Sequence, residues 1–461
     1  MPVSLALRQH QTETNRPRRA GGLGEGFRRT LSHSLRALAV LYIVAIVAAI
    51  LAYKALFARM VFFDPYFTVY GIIVVGYIVS RFAVSLFYRP AKWNGCQPSV
   101  AIVMPAFNEE EAIGNSIRSL VGVDYPPDKL EVVVVNDGSS DSTGDIIDGL
   151  AQEDPRISVL HFPENRGKRA AMAAGIRATS ADLIAFVDSD SVLEPEALGW
   201  VVQDFHDPHI GAVAGRADVL NRDESWLTRM QAVRYVVAFQ VMKAAESVFG
   251  CVTCCSGCFA VYRRSVIVPH LEPWENQTFL GAPATFGDDR SLTNYVLRTH
   301  RVVYQSRAVS ATIVPATMTK FIRQQMRWKR SWTRESLIVS RFMWRKHPFA
   351  ALATYTGIIL PLIAPITVIR AMLWRPIVEH NGAPFLYVLG IYAMALVYGL
   401  YYEARHGRND GLWLFGVLFV FFYLCFLVWQ TYIAMVTSRR STWGTRPSTH
   451  TAPEPAAEPS T

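Results

Sequence analysis

Long apolar runs near both ends of the chain most constrain what it can fold into. They cover residues 35–57, 67–88, 349–374, 385–402 and 412–436. Each approaches the roughly 20 apolar residues that an α-helix needs to cross the hydrocarbon of a bilayer. The polar, patterned segment between the second and third runs is long enough for a globular core. We therefore expect one large domain inserted between α-helical transmembrane segments that contact the lipid bilayer.

The charges beside these runs predict how the chain lies across the membrane. Arginines are in excess in the tail before residue 35, so the positive-inside rule places this tail in the cytoplasm. Two crossings within residues 35–90 then return the large domain to the cytoplasm. A cleaved signal peptide is the alternative for the first run, but a second run follows closely and no small-residue cleavage site is evident. Juxtamembrane arginines facing anionic lipid account for much of the net charge of +9, which needs no nucleic acid partner.

The sequence leaves the topology of the C-terminal part open. Five spans would put the C-terminus outside, whereas Arg439, Arg440 and Arg446 favour the cytoplasm. One C-terminal segment would then be interfacial or re-entrant. Pro361 and Pro365 also interrupt the third apolar run.

From residue 99 onward, short apolar runs alternate with helical patterns. The apolar runs are rich in β-branched residues, as strands buried on both faces are, so we predict a mainly parallel sheet covered by helices. Ligands bind such sheets at the carboxyl ends of the strands. Polar residues follow the four predicted strands in order: Asn108 and Glu109, Asn136 and Asp137, residues 165–168, and Asp188 and Asp190.

The residues after these strands limit the ways in which the domain could bind phosphate. No glycine-rich phosphate loop follows any strand, which argues against a P-loop NTPase or an NAD enzyme. Asp188 and Asp190 have a spacing suited to a hard divalent cation that also binds substrate phosphates. An Asp-x-Asp pair taken alone is more often a turn or a cap, but its place at a strand end favours the ligand interpretation. Lys168 and Arg169 begin a helix, where they either neutralise a diphosphate or lie on a solvated face.

The stretch FGDDRSLTNYVL, residues 286–297, places Asp288, Asp289 and Arg290 at the start of a helical pattern. An aspartate at a helix N-terminus accepts backbone N–H bonds and complements the helix dipole. Capping therefore explains one of the two carboxylates and leaves the other unexplained.

The stretch FIRQQMRWKRSWTRESL, residues 321–337, has aromatic residues at helical spacing on one face and basic residues on the others. This pattern is typical of a helix that lies in the membrane interface. It does not explain why Gln324, Arg327 and Trp328 also form a sugar-binding set, with an aromatic ring to stack on a pyranose and planar donors beside it.

Four cysteines fall within residues 251–258, at positions Cys251, Cys254, Cys255 and Cys258. Their overlapping CxxC spacings suggest zinc, but four ligands from one short run poorly surround a tetrahedral ion, and no distant CxxC pair exists. Cys96 and Cys425 are isolated, so free thiols in a reducing cytoplasm are expected rather than disulfides.

Six motifs, taken in order, resemble those of the processive membrane glycosyltransferases of family 2, the group that contains cellulose, chitin and hyaluronan synthases. They are AIVMPAFNEE, VVVVNDGSSDST, ENRGKRAAM, FVDSDS, GDDR and QQMRW, and they cover most of residues 99–332. Within the group, CCSGCFAVYRRSVI, ENQTFLGAPATFGDDRSLTNYV, VYQS, QQMRWKRSWTRES and WGTR are most similar to bacterial hyaluronan synthases. Two positions depart from the family, because Asn136 replaces a usual aspartate and Cys258 replaces a common proline.

This resemblance implies a GT-A-type α/β domain that uses Mg²⁺ or Mn²⁺. It implies that Asp137 contacts the uridine, that Lys168 contacts the diphosphate, and that Asp188 and Asp190 hold the UDP and its metal ion. Asp289 would be the general base that takes a proton from the acceptor hydroxyl. The resemblance also implies contacts to the nucleotide sugar by Ala106, Asn108, Glu109, Gln324, Arg327 and Trp328. It implies contacts to the acceptor by Trp328, Asp288, Arg290, Ser256 and Gly257. It further implies that four residues close over the nucleotide: Trp443, Gly444, Thr445 and Arg446.

The implied activity is alternate addition of GlcNAc and GlcA from UDP-GlcNAc and UDP-GlcA, with extrusion of the growing polysaccharide across the plasma membrane. A chitin or chitooligosaccharide synthase that uses UDP-GlcNAc alone is the alternative within this class. A transporter or lipid-binding scaffold with a degenerate transferase domain is an alternative of another class, but the intact Asp188, Asp190 and Asp289 argue against it.

The expected domain organisation follows from the patterns and the resemblance together. It comprises a disordered basic tail at 1–34, two transmembrane helices within 35–90, the GT-A domain at 97–317, interface helices with the Gln-x-x-Arg-Trp motif at 318–346, transmembrane segments at 349–436, and a tail at 437–461 that is disordered from residue 447.

Overall fold

A computed structural model describes residues 65–380 and 412–439, together with the single residues 395 and 401. The predicted tail 1–34, the first predicted span 35–57 and the motif at 443–446 lie outside the described residues. Nearly all of the fourth predicted span, 385–402, also lies outside them.

Ten strands run through the described residues: β1 Val100–Ala106, β2 Leu130–Asn136, β3 Ile157–His161, β4 Leu183–Phe186, β5 Ser191–Leu193, β6 Ile210–Val219, β7 Ala260–Arg263, β8 Thr278–Phe279, β9 Ala282–Pro283 and β10 Arg301–Thr312. Eight of them form one sheet in the order β3-β2-β1-β4-β7-β6-β10-β5, and β8 pairs with β9 in a separate hairpin. β3, β2, β1 and β4 pair in parallel, as do β6 and β10. β7 and β5 run antiparallel to their neighbours. The predicted mainly parallel sheet is confirmed, with two antiparallel strands that the apolar pattern did not reveal.

Both faces of the sheet are buried. Val100, Ile102 and Met104 of β1 pack into one apolar core, whereas Ala101 and Val103 point to the opposite face and pack into the other. Successive side chains of a strand alternate between faces, so burial on both sides requires an unbroken apolar run. This explains why the strands were recognisable from sequence.

Helices cover the sheet and continue beyond it: α1 Pro65–Ser85, α2 Ile113–Val121, α3 Thr143–Glu153, α4 Lys168–Ala178, α5 Ala197–Val201, α6 Trp226–Val237, α7 Ala244–Val248, α8 Arg264–Ile267, α9 Leu271–Glu275, α10 Asp288–Thr299, α11 Met318–Ser340, α12 Pro348–Ile369, α13 Arg375–Ile377, α14 Trp413–Phe422 and α15 Gln430–Val436. π-helical turns at Ala238–Lys243, Arg370–Trp374 and Tyr423–Leu427 follow α6, α12 and α14. The stretch read as a basic interface helix is one continuous helix, α11, of 23 residues.

Among the described residues, one helix is long and apolar enough to cross a membrane. It runs over Pro348–Ile377 and contains α12 and α13. The helix is continuous through Pro361 and Pro365, so the expected interruption of the third apolar run is wrong. Proline is tolerated inside such helices because neighbouring groups and local π turns satisfy the freed backbone groups. A second candidate joins Leu414–Leu427 to Gln430–Val436 with a bend of 42°, and Val69–Ser85 forms a shorter apolar helix.

Candidate active site

The predicted site residues meet in one cleft at the carboxyl ends of β1, β2 and β4. The cleft has a volume of about 2080 Å³ and is closed on its other side by the N-terminal part of α10 and by α11. Every predicted site residue that the structure describes lines it: Ala106, Asn108, Glu109, Asp137, Lys168, Asp188, Asp190, Ser256, Gly257, Asp288, Asp289, Arg290, Gln324, Arg327 and Trp328. The sheet topology and helices α10 and α11 therefore gather residues that lie far apart in the sequence.

The end of β4 carries the acidic part of the cleft. Lys168, the first residue of α4, forms an ion pair with Asp188. Burial disfavours the charged lysine, but the carboxylate charges, Asp188 foremost, outweigh burial and raise the pKa of Lys168. A Cβ atom at Gly257 would lie 2.9 Å from Asp188 Oδ1, so a larger residue at this position would displace the carboxylate. Lys168, Asp188 and Gly257 are thus packed against one another.

The donor set beside this ion pair fits Mg²⁺ or Mn²⁺. Asp190 Oδ1 accepts two long hydrogen bonds of 3.3 Å from the hydroxyls of Ser191 and Thr312. Burial, and then the charge of Asp188, raise the pKa of Asp190 to about 6, and a bound cation would favour its ionised form. No cluster of three or more His, Cys, Asp or Glu side chains suited to a metal occurs in residues 65–380 or 412–439. Two carboxylates are sufficient for an ion that takes its other ligands from water and substrate phosphates.

Asp137 orders the loop that leads into α4. Its Oδ1 accepts a hydrogen bond of 2.7 Å from the backbone N–H of Arg166, and its Oδ2 accepts one of 3.0 Å from Gly167. On the neighbouring loop, Asn108 has a positive φ of 52°, and its Oδ1 accepts a bond of 2.8 Å from the backbone of Ser140. These contacts fix the two loops that form the wall of the cleft opposite α11.

Asp289 lies in the first turn of α10 with its carboxylate held at both oxygens. Its Oδ1 accepts a hydrogen bond of 2.7 Å from the backbone N–H of Arg290, and the Cys254 thiol donates to Oδ2 over 3.4 Å. Burial, together with the charge of Asp289, raises the pKa of Cys254 to about 12, so the thiol keeps its proton at neutral pH. A carboxylate fixed in a cleft and facing a substrate can accept a proton as a general base.

Asp288 has a different environment from that implied for an acceptor contact. Its side chain is 6% exposed, and its Oδ1 accepts a hydrogen bond of 2.7 Å from Arg169 Nε. The residue borders the cleft, but its carboxylate is engaged in the protein interior. The residue that precedes α10 is Gly287, which has a φ of +80° and no side chain with which to cap the helix. Asp288 is therefore an internal ion-pair partner and does not cap the helix, whereas Asp289 accepts a backbone N–H of the first turn, as the capping interpretation expected of one carboxylate.

Helix α11 supplies the wall of the cleft opposite the sheet. Trp328 is 37% exposed, and the guanidinium of Arg234 lies 5.5 Å from the centroid of its ring. Gln324 Oε1 is buried and has no hydrogen-bond partner among the described residues. A buried amide oxygen without a partner is costly, which is consistent with a ligand group donating to it when the cleft is occupied.

The sequence did not single out Lys243 and Arg234 among the cations that line the cleft. Lys243 lies on the π-helical turn after α6 and donates to the carbonyl of Cys254 and, over 3.4 Å, to Ser256 Oγ. Arg234 on α6 donates to Gln325 Oε1 over 2.7 Å. No sequence signal marked either residue, because Arg234 lies within a regular helix and the π-helical turn that carries Lys243 has no distinct periodicity.

The four clustered cysteines point to different surroundings. Cys254 contacts Asp289, Cys258 lines the cleft, and Cys251 and Cys255 are buried in an apolar core. All six cysteines of the chain are free thiols. The geometry therefore gives these cysteines separate roles rather than one tetrahedral zinc site.

Comparison with known proteins assigns the family. The glycosyl transferase family 2 profile matches residues 101–268. Hyaluronan synthase from Streptococcus pyogenes serotype M3 is 33% identical over 385 residues, which span 82% of this chain and 90% of the relative. The chain belongs to glycosyltransferase family 2. The enzyme is thus a glycosyltransferase, and its hyaluronan synthase relatives match it over nearly their whole length.

A second kind of relative and one solved structure are also glycosyltransferases by name. An N-acetylglucosaminyltransferase from Mesorhizobium japonicum is 36% identical over 305 residues, spanning 65% of this chain and 71% of the relative. A mannosyltransferase from Pyrobaculum calidifontis, solved in complex with GDP-Man and Mn²⁺, superposes with a TM-score of 0.52 at 19% identity and covers 77% of this chain and 99% of its own. That likeness shows the GT-A glycosyltransferase fold. Homologues of this kind imply nucleotide-sugar donors for the enzyme.

Proposed function

We propose that this glycosyltransferase is a membrane-embedded polymerase that adds GlcNAc and GlcA alternately from UDP-GlcNAc and UDP-GlcA. The observation that carries the proposal is the single cleft in which Lys168, Asp188 and Asp190 face Asp289 and Trp328. Cationic and acidic groups for a metal–diphosphate lie on one wall, and a base with an aromatic sugar platform lies on the other. The match over 90% of a hyaluronan synthase supports this polymer in particular.

The reaction would join an acceptor hydroxyl to the anomeric carbon of the donor sugar. Asp289 accepts the hydroxyl proton while the acceptor oxygen bonds to the anomeric carbon and the bond from that carbon to the diphosphate breaks. The departing UDP takes both electrons of the broken bond, so its charge must be stabilised. Lys168 and Arg327 lie in the cleft for this purpose, and attack opposite the leaving group inverts the anomeric configuration.

Asp188 and Asp190 are the residues that would hold Mg²⁺ or Mn²⁺. When bound, the ion supplies positive charge to the leaving diphosphate. Asp137 fixes the backbone at Arg166 and Gly167, so it orders the loop beside the uridine position. Trp328 offers a ring for the acceptor sugar, with Gln324 beside it on the same helix. Residues 443–446 are proposed to close over the nucleotide.

The membrane location is part of the same proposal. The apolar helix Pro348–Ile377 and the bent pair Leu414–Leu427 and Gln430–Val436 adjoin the end of the cleft formed by α11. We propose a multi-pass plasma membrane protein with the GT-A domain, residues 97–317, in the cytoplasm. The product would leave through the spans beside Trp328.

A GlcNAc-only polymer is the second candidate, because the N-acetylglucosaminyltransferase of Mesorhizobium japonicum has the higher identity of 36%. Incubation of purified enzyme with each UDP-sugar and with both separates the two. Hyaluronan synthesis predicts a hyaluronidase-sensitive polymer only with both donors. Long chitinase-sensitive polymer from UDP-GlcNAc alone, with no hyaluronidase-sensitive product from both donors, would support the second candidate.

A further inference from the structure

Arg169 follows Lys168 on α4, but its side chain points into the protein interior instead of the cleft. Its Nε donates to Asp288 Oδ1 over 2.7 Å, and its Nη1 donates to the carbonyl of Trp274 and to Gln277 Oε1 over 3.0 and 3.1 Å. The two side chains of the ion pair are 5% and 6% exposed. The guanidinium also lies 5.4 Å from the ring centroid of Trp274.

Stability alone gives a weak reason for this ion pair. Removing two charges from water costs free energy that their attraction only partly returns, so apolar residues of similar volume often stabilise a protein as well. Arg169 Nη2 is also buried with no hydrogen-bond partner in the described part of the chain, which adds a further cost. A pair that is expensive to bury is better explained by the geometry that it enforces.

The ion pair joins the two halves of the cleft. Lys168 precedes Arg169 at the start of α4, and Asp289 follows Asp288 at the start of α10. Lys168, the proposed ligand of the diphosphate, and Asp289, the proposed base, are thus each one residue away from a member of the buried ion pair. A displacement of Arg169 relative to Asp288 would move the two reacting groups relative to each other.

The same contact extends to the acceptor helix α11. Gln277 accepts from Arg169 and from Ser291 Oγ over 2.7 Å, and its Nε2 donates to Glu335 Oε1 over 3.1 Å. Glu335 also accepts from Arg334 Nε over 2.7 Å and from Asn294 Nδ2 over 2.9 Å. Glu335 and Arg334 are almost fully buried. This network connects α4, α10 and α11, which carry Lys168, Asp289 and Trp328.

We propose that Arg169 is a positioning residue whose pairing with Asp288 holds the base at a fixed distance from the donor diphosphate. The roles of Lys168 and Asp289 in this statement rest on the proposed function. The network behind the cleft, with Gln277 as its bridge, then holds the acceptor helix in register with both groups. Arg169 acts through these neighbours and does not touch substrate.

The chain offers a matched control on the same helix. Arg177 also lies on α4 and pairs with Glu275 over 2.5 Å, but half of its side chain is exposed. Full-length Arg169→Met and Arg177→Met would be purified in lipid nanodiscs and assayed for UDP release. Arg169→Met is expected to lower kcat by about tenfold to about 100-fold with the KM for the UDP-sugar within about threefold, because small misplacements of reacting groups act on turnover. Arg177→Met should change neither value by more than about twofold.

Asp288→Asn provides the second variant, since it keeps the shape of the side chain and removes its charge. The two substitutions should be non-additive, because both break one contact. Each single substitution should lower kcat. The kcat of the double variant should be no lower than that of the more damaging single variant. Multiplied losses in the double variant, or a normal kcat in Arg169→Met, would overturn the proposal. If Arg169→Met does not fold, a normal kcat in Asp288→Asn overturns it equally.

Hydrogen exchange at α10 gives a readout that needs no donor sugar. Arg169→Met should accelerate exchange of the amides from Ser291 to Asn294 by more than about tenfold, with Arg177→Met at the wild-type rate. Equal protection in both variants would contradict the positioning role. Wild-type enzyme that releases no UDP from any UDP-sugar would contradict the proposed function instead, and the exchange result would still decide the role of Arg169.

Discussion

The Lys168 ammonium is paired with the Asp188 carboxylate at the carboxyl end of β4, against the backbone of Gly257. The pair places one positive and one negative group at the position proposed for the donor diphosphate. A phosphate group that enters the cleft can bind the lysine, while a divalent ion can bind the carboxylate. Under the proposed function, this pair would hold in place the lysine that binds the diphosphate and the carboxylate that binds the metal ion.

Replacement of Lys168 by methionine should weaken the binding of UDP by about tenfold to about 100-fold, because a charge-assisted hydrogen bond to phosphate is lost. Isothermal titration calorimetry measures this affinity. Lys129→Met is the control, since this lysine lies away from the cleft and donates to the carbonyl of Gln97. Equal UDP affinity in both variants would remove Lys168 from the donor site.

Asp190→Asn should weaken the binding of Mn²⁺ in the presence of UDP by at least about tenfold, since a direct carboxylate ligand is lost. Titration of Mn²⁺ followed by electron paramagnetic resonance measures the free ion. Asp145→Asn, at an exposed carboxylate on α3, serves as the control. An unchanged Mn²⁺ titration in Asp190→Asn would count against a ligand role.

Asp289→Asn should lower kcat between about 10²-fold and about 10⁴-fold, the range that a general base contributes. The affinity for UDP should stay within about twofold, because this carboxylate is held on α10 by Arg290 and Cys254 and is not among the proposed ligands of the diphosphate or the metal ion. Turnover of radiolabelled UDP-sugar and calorimetry give the two values. A variant with near-normal turnover would exclude Asp289 as the base.

Asp204 predicts a pH dependence of stability away from the cleft. Burial raises the pKa of this carboxyl from 3.8 to about 7, although Gln305 Nε2 donates to it over 2.9 Å. Between these values the folded state holds a proton that the unfolded state has released, so the stabilisation present at low pH is lost as pH rises through about 7. Asp204→Asn should flatten this part of the curve of unfolding free energy against pH. A curve with the wild-type slope in the variant would contradict the assignment.

Gly287 and Gly149 should respond in opposite directions to alanine. Gly287 has a φ of +80°, and an added Cβ would overlap Ser331 on α11, so Gly287→Ala should destabilise the start of α10 and lower kcat. A Cβ at Gly149, inside α3, would meet no heavy atom within 4 Å. Gly149→Ala should therefore stabilise the protein by about 0.5–1 kcal/mol. Thermal unfolding measures both, and a stabilising Gly287→Ala would show that α10 can begin without this turn.

The parallel half of the sheet and most of the cleft were predictable because they depend on local patterns. β1, β2 and β4 are buried on both faces, so each reads as an unbroken apolar run with its polar residues at the end. β7 escaped prediction since it is short and is placed between β4 and β6 by tertiary contacts. Pro361 and Pro365 predicted an interruption of the third apolar run that the structure does not show, because a long apolar helix tolerates both prolines.

The partners of the site residues were harder to predict than the residues themselves. Asp288 and Asp289 are neighbours in sequence, yet one faces Arg169 in the interior and the other faces Cys254 at the cleft. Their separation depends on how α10 meets α4, and no periodicity records such a crossing. Arg234 and Lys243 were not predicted for the same reason. They lie on α6 and on the π-helical turn after it, and the sequence of this stretch has the pattern of a helix packed in an apolar core.

The most direct test of the central claim is polymer synthesis by the purified enzyme with defined donors. The enzyme in lipid nanodiscs would be incubated with Mn²⁺ and UDP-GlcNAc, UDP-GlcA or both, and the products digested with hyaluronidase or chitinase and sized on gels. The account predicts a long hyaluronidase-sensitive polymer only when both donors are present, and none from Asp289→Asn. Absence of hyaluronidase-sensitive polymer with both donors, from an enzyme that makes chitinase-sensitive polymer from UDP-GlcNAc alone, would contradict it.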